Sequence, residues 1–193
     1  MPHIKLQEGL PGIRGLLVYS PETAKPMGVL AQILLRDDHT LTRAEREMIG
    51  AYVSSENDCH YCQHCHGSTA AQLLGGSKGD YTLIDRIKYD FESAPISEKM
   101  KALLAIAGKV QKGGKNVTTA DVERARHQGA TDKEIHDTVL ISASFCMFNR
   151  YVDGLGTWQP RDGEMYLEIG KQTAAQGYVN RDLSKPLASI ATK

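Results

Sequence analysis

Apolar residues recur every three or four positions through most of the chain, which is the period of an α-helix. The first clear segment runs from Met27 to Arg36, and no segment alternates between apolar and polar residues as a half-buried strand does. Further helices are predicted at about 42–55, 58–75, 80–93, 97–112, 119–128, 131–149 and 161–176. Because short links join these helices, the pattern favours an all-α, single-domain helical bundle.

Polar residues and glycines mark where several of these helices begin and end. Thr42, with Glu45 three positions later, predicts a capping box at the start of one helix. Asp58 is the predicted cap of the next helix, which the glycine pair at 75–76 ends. Proline-containing breaks interrupt the period near the start of the chain, so residues 1–26 are predicted to form an irregular N-terminal arm.

Composition and charge narrow the class of protein. The 193 residues include 23 Lys and Arg and 23 Asp and Glu, so the formal net charge is zero. This balance gives no electrostatic reason to expect nucleic acid or a membrane surface as a partner. No stretch reaches the roughly 18 apolar residues of a membrane span, and the first residues lack a signal-peptide pattern. A cytoplasmic protein is therefore expected, and cysteines in a reducing cytosol are rarely structural disulfides.

One short segment concentrates the chemically reactive residues. Its sequence is Cys59-His60-Tyr61-Cys62-Gln63-His64-Cys65-His66. With Asp58 as the cap, Cys59 and Cys62 lie in the first turn of a helix, whose unpaired N–H groups and positive dipole end stabilise a thiolate. His66 follows Cys62 by four positions on the same face, so its imidazole is placed to exchange a proton with that thiol.

Glu47 is the candidate fourth member of the site. If residues 56–58 join two antiparallel helices, Glu47 and His66 rise about 13 Å and 12 Å from the same turn and lie at one level. The small residues Gly50, Ala51 and Ser54 follow Glu47 at helical spacing, and they are expected to let the next helix approach closely. A carboxylate beside His66 would fix the imidazole tautomer, although Glu45 or Glu56 compete for this role.

The spacing of Glu47, Cys59, Cys62 and His66 resembles the signature of the alkylhydroperoxidase D-like proteins in the carboxymuconolactone decarboxylase superfamily. The segments 46–49, 58–67 and 148–155 look especially similar to its peroxidase-related branch. The resemblance implies a helical domain over residues 27–155, between the arm at 1–26 and a C-terminal helix and tail at 156–193. It also implies that Cys62 attacks the peroxide, Cys59 resolves the sulfenic acid into a disulfide, and His66 and Glu47 relay protons.

The same resemblance implies partners. A peroxide is the substrate, an external dithiol of the lipoyl or thioredoxin-like type is the reductant, and the chain forms a homo-oligomer (dimer, trimer or hexamer). We predict no cofactor, no metal, no nucleic acid and no membrane partner. The sequence departs from alkylhydroperoxidase D in two places: Tyr61 replaces a relay histidine, and Cys65 is an additional cysteine.

Two other functions remain open from the sequence. One is an acid–base enzyme of the decarboxylase type, which would not need the two cysteines. The other is a metal-binding module, in which Cys59, Cys62, His66 and Cys65 would be the zinc ligands. Outside the segment, Cys146 is predicted to be a core residue, and Tyr151 and Trp158 are predicted to serve in packing.

Overall fold

The computed structural model describes residues 1–179 and 182–185 of the chain, so the end of the predicted C-terminal helix and tail (156–193) lies outside the described residues. Over the described ranges the chain forms nine α-helices and no strand, which confirms the all-α class. The helices are α1 (Ile13–Tyr19), α2 (Pro21–Leu35), α3 (Arg43–Glu56), α4 (His60–Leu74), α5 (Lys78–Asp90), α6 (Glu98–Lys112), α7 (Thr119–His127), α8 (Asp132–Gly154) and α9 (Gly163–Gln176).

Four of the helices begin at a capping box, in which a hydroxyl and an acidic side chain satisfy two backbone N–H groups reciprocally. The predicted box of Thr42 and Glu45 is confirmed at the start of α3. The same arrangement begins α5, α7 and α8, where the pairs are Ser77 with Asp80, Thr118 with Asp121, and Thr131 with Glu134. Local sequence therefore determines where these four helices begin.

The N-terminal region is more helical than its sequence indicated. α1 occupies Ile13–Tyr19 and α2 begins at Pro21 rather than near Met27, so the irregular part of the predicted arm ends at Gly12. A proline fits the first turn of a helix because its fixed φ is already helical and its missing N–H would have had no intrahelical acceptor. Pro21 thus starts a helix instead of breaking one.

α3 lies at the centre of the bundle and packs against α4, α5, α6 and α8. Its apolar side chains are buried on almost every side, and the helix also buries two charged residues, Arg46 and Glu47. Arg46 donates hydrogen bonds to the carbonyl oxygens of Leu34 and Asp37, at 3.0 and 2.8 Å. These bonds fix the end of α2 against the start of α3, which is the region where the candidate site forms.

The turn between α3 and α4 differs from the predicted one by a single residue. Asp58 has a φ of +55°, and the N–H groups of Asp58 and Cys59 donate to the carbonyl oxygens of Ser55 and Ser54. This is a Schellman motif, which ends α3 and leaves Cys59, not Asp58, at the N-cap of α4. Aspartate tolerates the left-handed conformation better than most residues, and the turn makes α3 and α4 an adjacent helix pair.

No helix in the described part of the chain is both long enough and apolar enough to cross a membrane.

Candidate active site

The pairing of α3 with α4 brings Glu47 and His66 into contact. Oε2 of Glu47 lies 2.7 Å from Nδ1 of His66, and the Glu47 side chain is fully buried. The competing acidic residues do not reach His66, because Glu45 is committed to its capping box and Glu56 is exposed at the end of α3. Since Nδ1 faces the carboxylate, Nε2 is the imidazole nitrogen through which His66 would exchange a proton with another group.

The two cysteines occupy different positions within the first turn of α4. Cys59 is fully buried at the N-cap, and Cys62 is three residues further along the chain. The two side chains are close but unbonded, and both are free thiols. A hydrogen bond to Cys62, together with burial, raises the pKa of the Cys59 thiol well above its usual range. Cys59 therefore keeps its proton at neutral pH.

A cavity of about 80 Å³ lies beside Cys62. Five residues of α4 border it, namely Tyr61, Cys62, Cys65, His66 and Thr69, whereas Cys59 is outside the described lining. Most of the remaining wall is apolar and comes from α1, α2, α8, α9 and the segment after α9, through Ile13, Leu17, Met27, Ala31, Leu35, Phe145, Phe148, Ile169 and Leu183. The cavity thus presents two thiols and one imidazole to a mainly apolar space.

The other polar residues of the segment do not replace a relay histidine. Burial raises the pKa of Tyr61 well above its usual value, so its hydroxyl stays protonated at neutral pH. His60 has its Nε2 at 3.2 Å from the carbonyl oxygen of Pro160, and Nδ1 of His64 contacts the carbonyl oxygen of His60 at 2.7 Å. Neither histidine borders the described cavity, which leaves His66 as the imidazole beside Cys62.

Cys65 borders the cavity but is not grouped with other metal ligands. Within the described ranges, no three His, Cys, Asp or Glu side chains are arranged to hold one metal ion. A hydrogen bond links Cys65 to the hydroxyl of Tyr61. Cys65 is thus a buried neighbour of the dithiol. The described residues offer no set of ligands that would support the metal-binding hypothesis.

Two residues of the site, Tyr178 and Arg36, could not be identified from the sequence. Tyr178, just after α9, places its hydroxyl 2.6 Å from Oε1 of Glu47 and 3.2 Å from Nδ1 of His66. Arg36, at the end of α2, is buried with Nη2 at 3.8 Å from the same Oε1. No local motif marks either residue, because both meet Glu47 only through the packing of α2, α3 and the segment that follows α9.

Two of the small residues on α3, Gly50 and Ser54, contact α8 and not α4 as expected. A Cβ atom on Gly50 would lie 2.4 Å from the Phe145 ring, and Ser54 accepts a hydrogen bond from Asn149 at 3.1 Å. The Phe145 ring in turn contacts the His66 imidazole edge to face, with ring centroids 4.5 Å apart. Gly50 therefore positions His66 indirectly, by admitting the aromatic ring that packs against it.

The Gly50→Ala variant should lose about 1–3 kcal/mol of unfolding free energy, because the added methyl group overlaps the Phe145 ring. The displaced ring should also disturb His66 and slow the reaction of Cys62 with peroxide. Urea denaturation and a peroxide-consumption assay measure the two effects. Gly163→Ala is the matched control, since a Cβ atom there meets nothing within 4 Å. Equal stability of the two variants would contradict the role assigned to Gly50.

Fold and site together define an all-helical protein with a buried dithiol next to a carboxylate–imidazole pair. No family model matches the chain, and no curated protein matches its sequence. Several solved structures do match in fold. An uncharacterized peroxidase-related protein with the alkylhydroperoxidase AhpD core, from Ralstonia eutropha JMP134, is 28% identical with a TM-score of 0.71, over 83% of this chain and 81% of that one.

An uncharacterized peroxidase-related protein from Silicibacter sp. TM1040 is 26% identical with a TM-score of 0.71, over 78% of this chain and 77% of that one. A protein of unknown function from Agrobacterium tumefaciens is 22% identical with a TM-score of 0.65, over 76% of this chain and 97% of that one. The last of these supports the fold alone. The chain therefore has the fold of the alkylhydroperoxidase D-like proteins.

Proposed function

We propose that the protein is a thiol-dependent peroxidase that reduces an alkyl hydroperoxide or hydrogen peroxide through Cys59 and Cys62. One arrangement carries the proposal: Cys62 and His66 border the same cavity, while Glu47 holds Nδ1 of that imidazole at 2.7 Å. A protonated Cys59 lies next to Cys62 and is outside the described lining of the cavity. Similarity to two peroxidase-related proteins supports the same class of reaction.

In the first step, Nε2 of His66 accepts the Cys62 proton and the sulfur attacks the terminal oxygen of the peroxide. The O–O bond breaks as the S–O bond forms, and the departing alkoxide takes the proton from His66. The products are an alcohol and a Cys62 sulfenic acid; hydrogen peroxide would give water instead of the alcohol. Glu47 stabilises the imidazolium that exists between the two proton transfers.

In the second step, the sulfur of Cys59 attacks the sulfenic sulfur of Cys62. The S–S bond forms, and the oxygen leaves as water with the proton of Cys59. An external dithiol then reduces the disulfide through a mixed disulfide and becomes oxidised itself. A lipoyl-type or thioredoxin-like dithiol has the chemistry that this exchange requires.

The walls of the cavity favour a substrate with an apolar group next to the peroxide. Leucine, isoleucine, methionine and phenylalanine side chains surround the space beside Cys62, and about 80 Å³ accommodates a small group. We further propose that the protein acts in the cytoplasm as a homo-oligomer, without a nucleic-acid or membrane partner.

The reduced protein should lose two thiols for each peroxide that it consumes. Ellman's reagent counts the thiols of the denatured protein, and a peroxide assay run on the same sample gives the ratio. In the Cys59→Ser variant the reaction should stop at the sulfenic acid, which dimedone labels on Cys62. Peroxide consumption without thiol loss, or dimedone labelling at another cysteine, would contradict the proposed order of the two steps.

An acid–base reaction of the decarboxylase type is a second candidate, because the Glu47–His66 pair meets a mainly apolar cavity without help from either cysteine. A protein with both Cys59 and Cys62 changed to serine separates the two functions. Retained turnover of a lactone acid substrate by this variant favours the second candidate. Loss of all peroxide consumption, with no such turnover, favours the peroxidase.

A further inference from the structure

We propose that Tyr178 is a positioning residue of this site, whose hydroxyl holds Glu47 and thereby sets how readily His66 accepts a proton. The inference rests on the proposed function, since it assigns the third member of the Glu47–His66 relay. It also gives the segment after α9 a role in the chemistry. The carboxylate, imidazole and hydroxyl form a closed set of contacts at 2.7, 2.6 and 3.2 Å.

The backbone around Tyr178 is fixed by contacts with α2. Gly177 ends α9 with a φ of +72°, and a Cβ atom there would lie 2.5 Å from Oε1 of Gln32. The same Oε1 accepts a hydrogen bond from the backbone N–H of Tyr178 at 2.9 Å. The guanidinium of Arg36 lies 5.7 Å from the centre of the Tyr178 ring, within range of a cation–π contact. Tyr178 is thus held from its backbone and from its ring face.

Each oxygen of the Glu47 carboxylate has its own donor. Oε2 accepts from Nδ1–H of His66, and Oε1 accepts from the hydroxyl of Tyr178. A hydroxyl that donates to a carboxylate stabilises the ionised form and weakens its attraction for a neighbouring proton. Without the hydroxyl, the carboxylate would bind the protonated imidazole more strongly, so His66 would hold its proton to a higher pH.

Other groups around His66 stay the same when the hydroxyl is removed. Arg14 borders the same cavity from α1, and Arg36 approaches from α2. Tyr61, Cys62 and Cys65 belong to α4 with His66 itself, and α8 contributes the uncharged ring of Phe145. The Tyr178 ring lies nearly parallel to the imidazole, with an interplanar angle of 15° and centroids 6.1 Å apart. Phenylalanine keeps this ring, so Tyr178→Phe isolates the effect of the hydroxyl.

Nitrogen-15 NMR of the histidine side chains tests the proposal directly, with the His66 signals assigned from a His66→Gln sample. In Tyr178→Phe the titration midpoint of His66 should rise by about 0.5–1 pH unit. The reaction of Cys62 with hydrogen peroxide should slow by up to about 3–10-fold at acidic pH, where more of the base is protonated, and the difference should shrink as the pH rises. Tyr81→Phe is the matched control, because Tyr81 is also half-buried and its hydroxyl pairs with Gln72, outside the described cavity.

Site-specific 3-fluorotyrosine at position 178 gives a second test that does not remove a contact. Its hydroxyl is a stronger donor, so the His66 midpoint should move in the opposite direction. An unchanged midpoint in both Tyr178 proteins, or an equal shift in the Tyr81→Phe control, would overturn the proposal. A shifted midpoint in a protein that never consumes peroxide would refute the proposed peroxidase function and leave the assignment of Tyr178 standing.

Discussion

Replacing Glu47 by glutamine is expected to slow peroxide consumption by about 10²–10⁴-fold, the range typical of losing general acid–base catalysis. The amide occupies the same volume, but it carries no charge to stabilise a protonated His66 and has one acceptor where the carboxylate has two. The change also leaves Arg36 buried without the carboxylate beside it. An unfolding free energy lower by about 3 kcal/mol is therefore expected.

The two effects of this substitution can be separated. Glu56→Gln removes an exposed carboxylate from the same helix and should change neither the rate nor the stability. A double variant, Glu47→Gln with Arg36→Met, should recover much of the lost stability, because an apolar side chain replaces the unpaired buried cation. Its peroxide consumption should stay low. Recovery of activity in the double variant would show that Glu47 acts only through stability.

Replacing Cys62 by serine is expected to lower peroxide consumption by about 10³-fold or more, since no other side chain would form the sulfenic acid. Serine keeps nearly the same shape, so circular dichroism and thermal unfolding should show a folded protein. The rate of peroxide loss with an added dithiol, such as dihydrolipoamide, measures the effect in steady state.

Cys65→Ser is the matched control for this second prediction. Cys65 is also buried, borders the same cavity and belongs to the same helix. The Cys65→Ser variant should retain most of the activity, because Cys65 is only a neighbour of the dithiol. A large loss in Cys65→Ser, with Cys62→Ser still active, would reverse the assignment of the attacking thiol.

The contact between Glu47 and His66 was predictable because it depends on local rules. Capping residues mark where helices begin, and the fixed rise of an α-helix gives the distance of each residue from the turn between α3 and α4. When the turn is short, residues of the two helices that are equally far from it lie side by side. The position of Cys59 was missed by one residue, since Asp58 adopts the left-handed conformation and continues the turn. Sequence spacing alone does not distinguish an aspartate that caps a helix from one that ends the helix before it.

Contacts between distant segments could not be predicted in the same way. Tyr178 and Glu47 are 131 positions apart, and their hydrogen bond depends on how α9 ends against α2. Gly50 was assigned to the wrong neighbour because a small residue on a central helix permits close approach from any side. Only the packing of Phe145 identifies α8 as the helix that uses this space.

The most direct test of the proposed function is to treat the reduced protein with one equivalent of peroxide and map its cysteines by mass spectrometry. We expect a single disulfide between Cys59 and Cys62, with Cys65 and Cys146 remaining as thiols. A disulfide that joins Cys62 to Cys65, or four unmodified thiols after the peroxide has been consumed, would contradict the proposed dithiol mechanism.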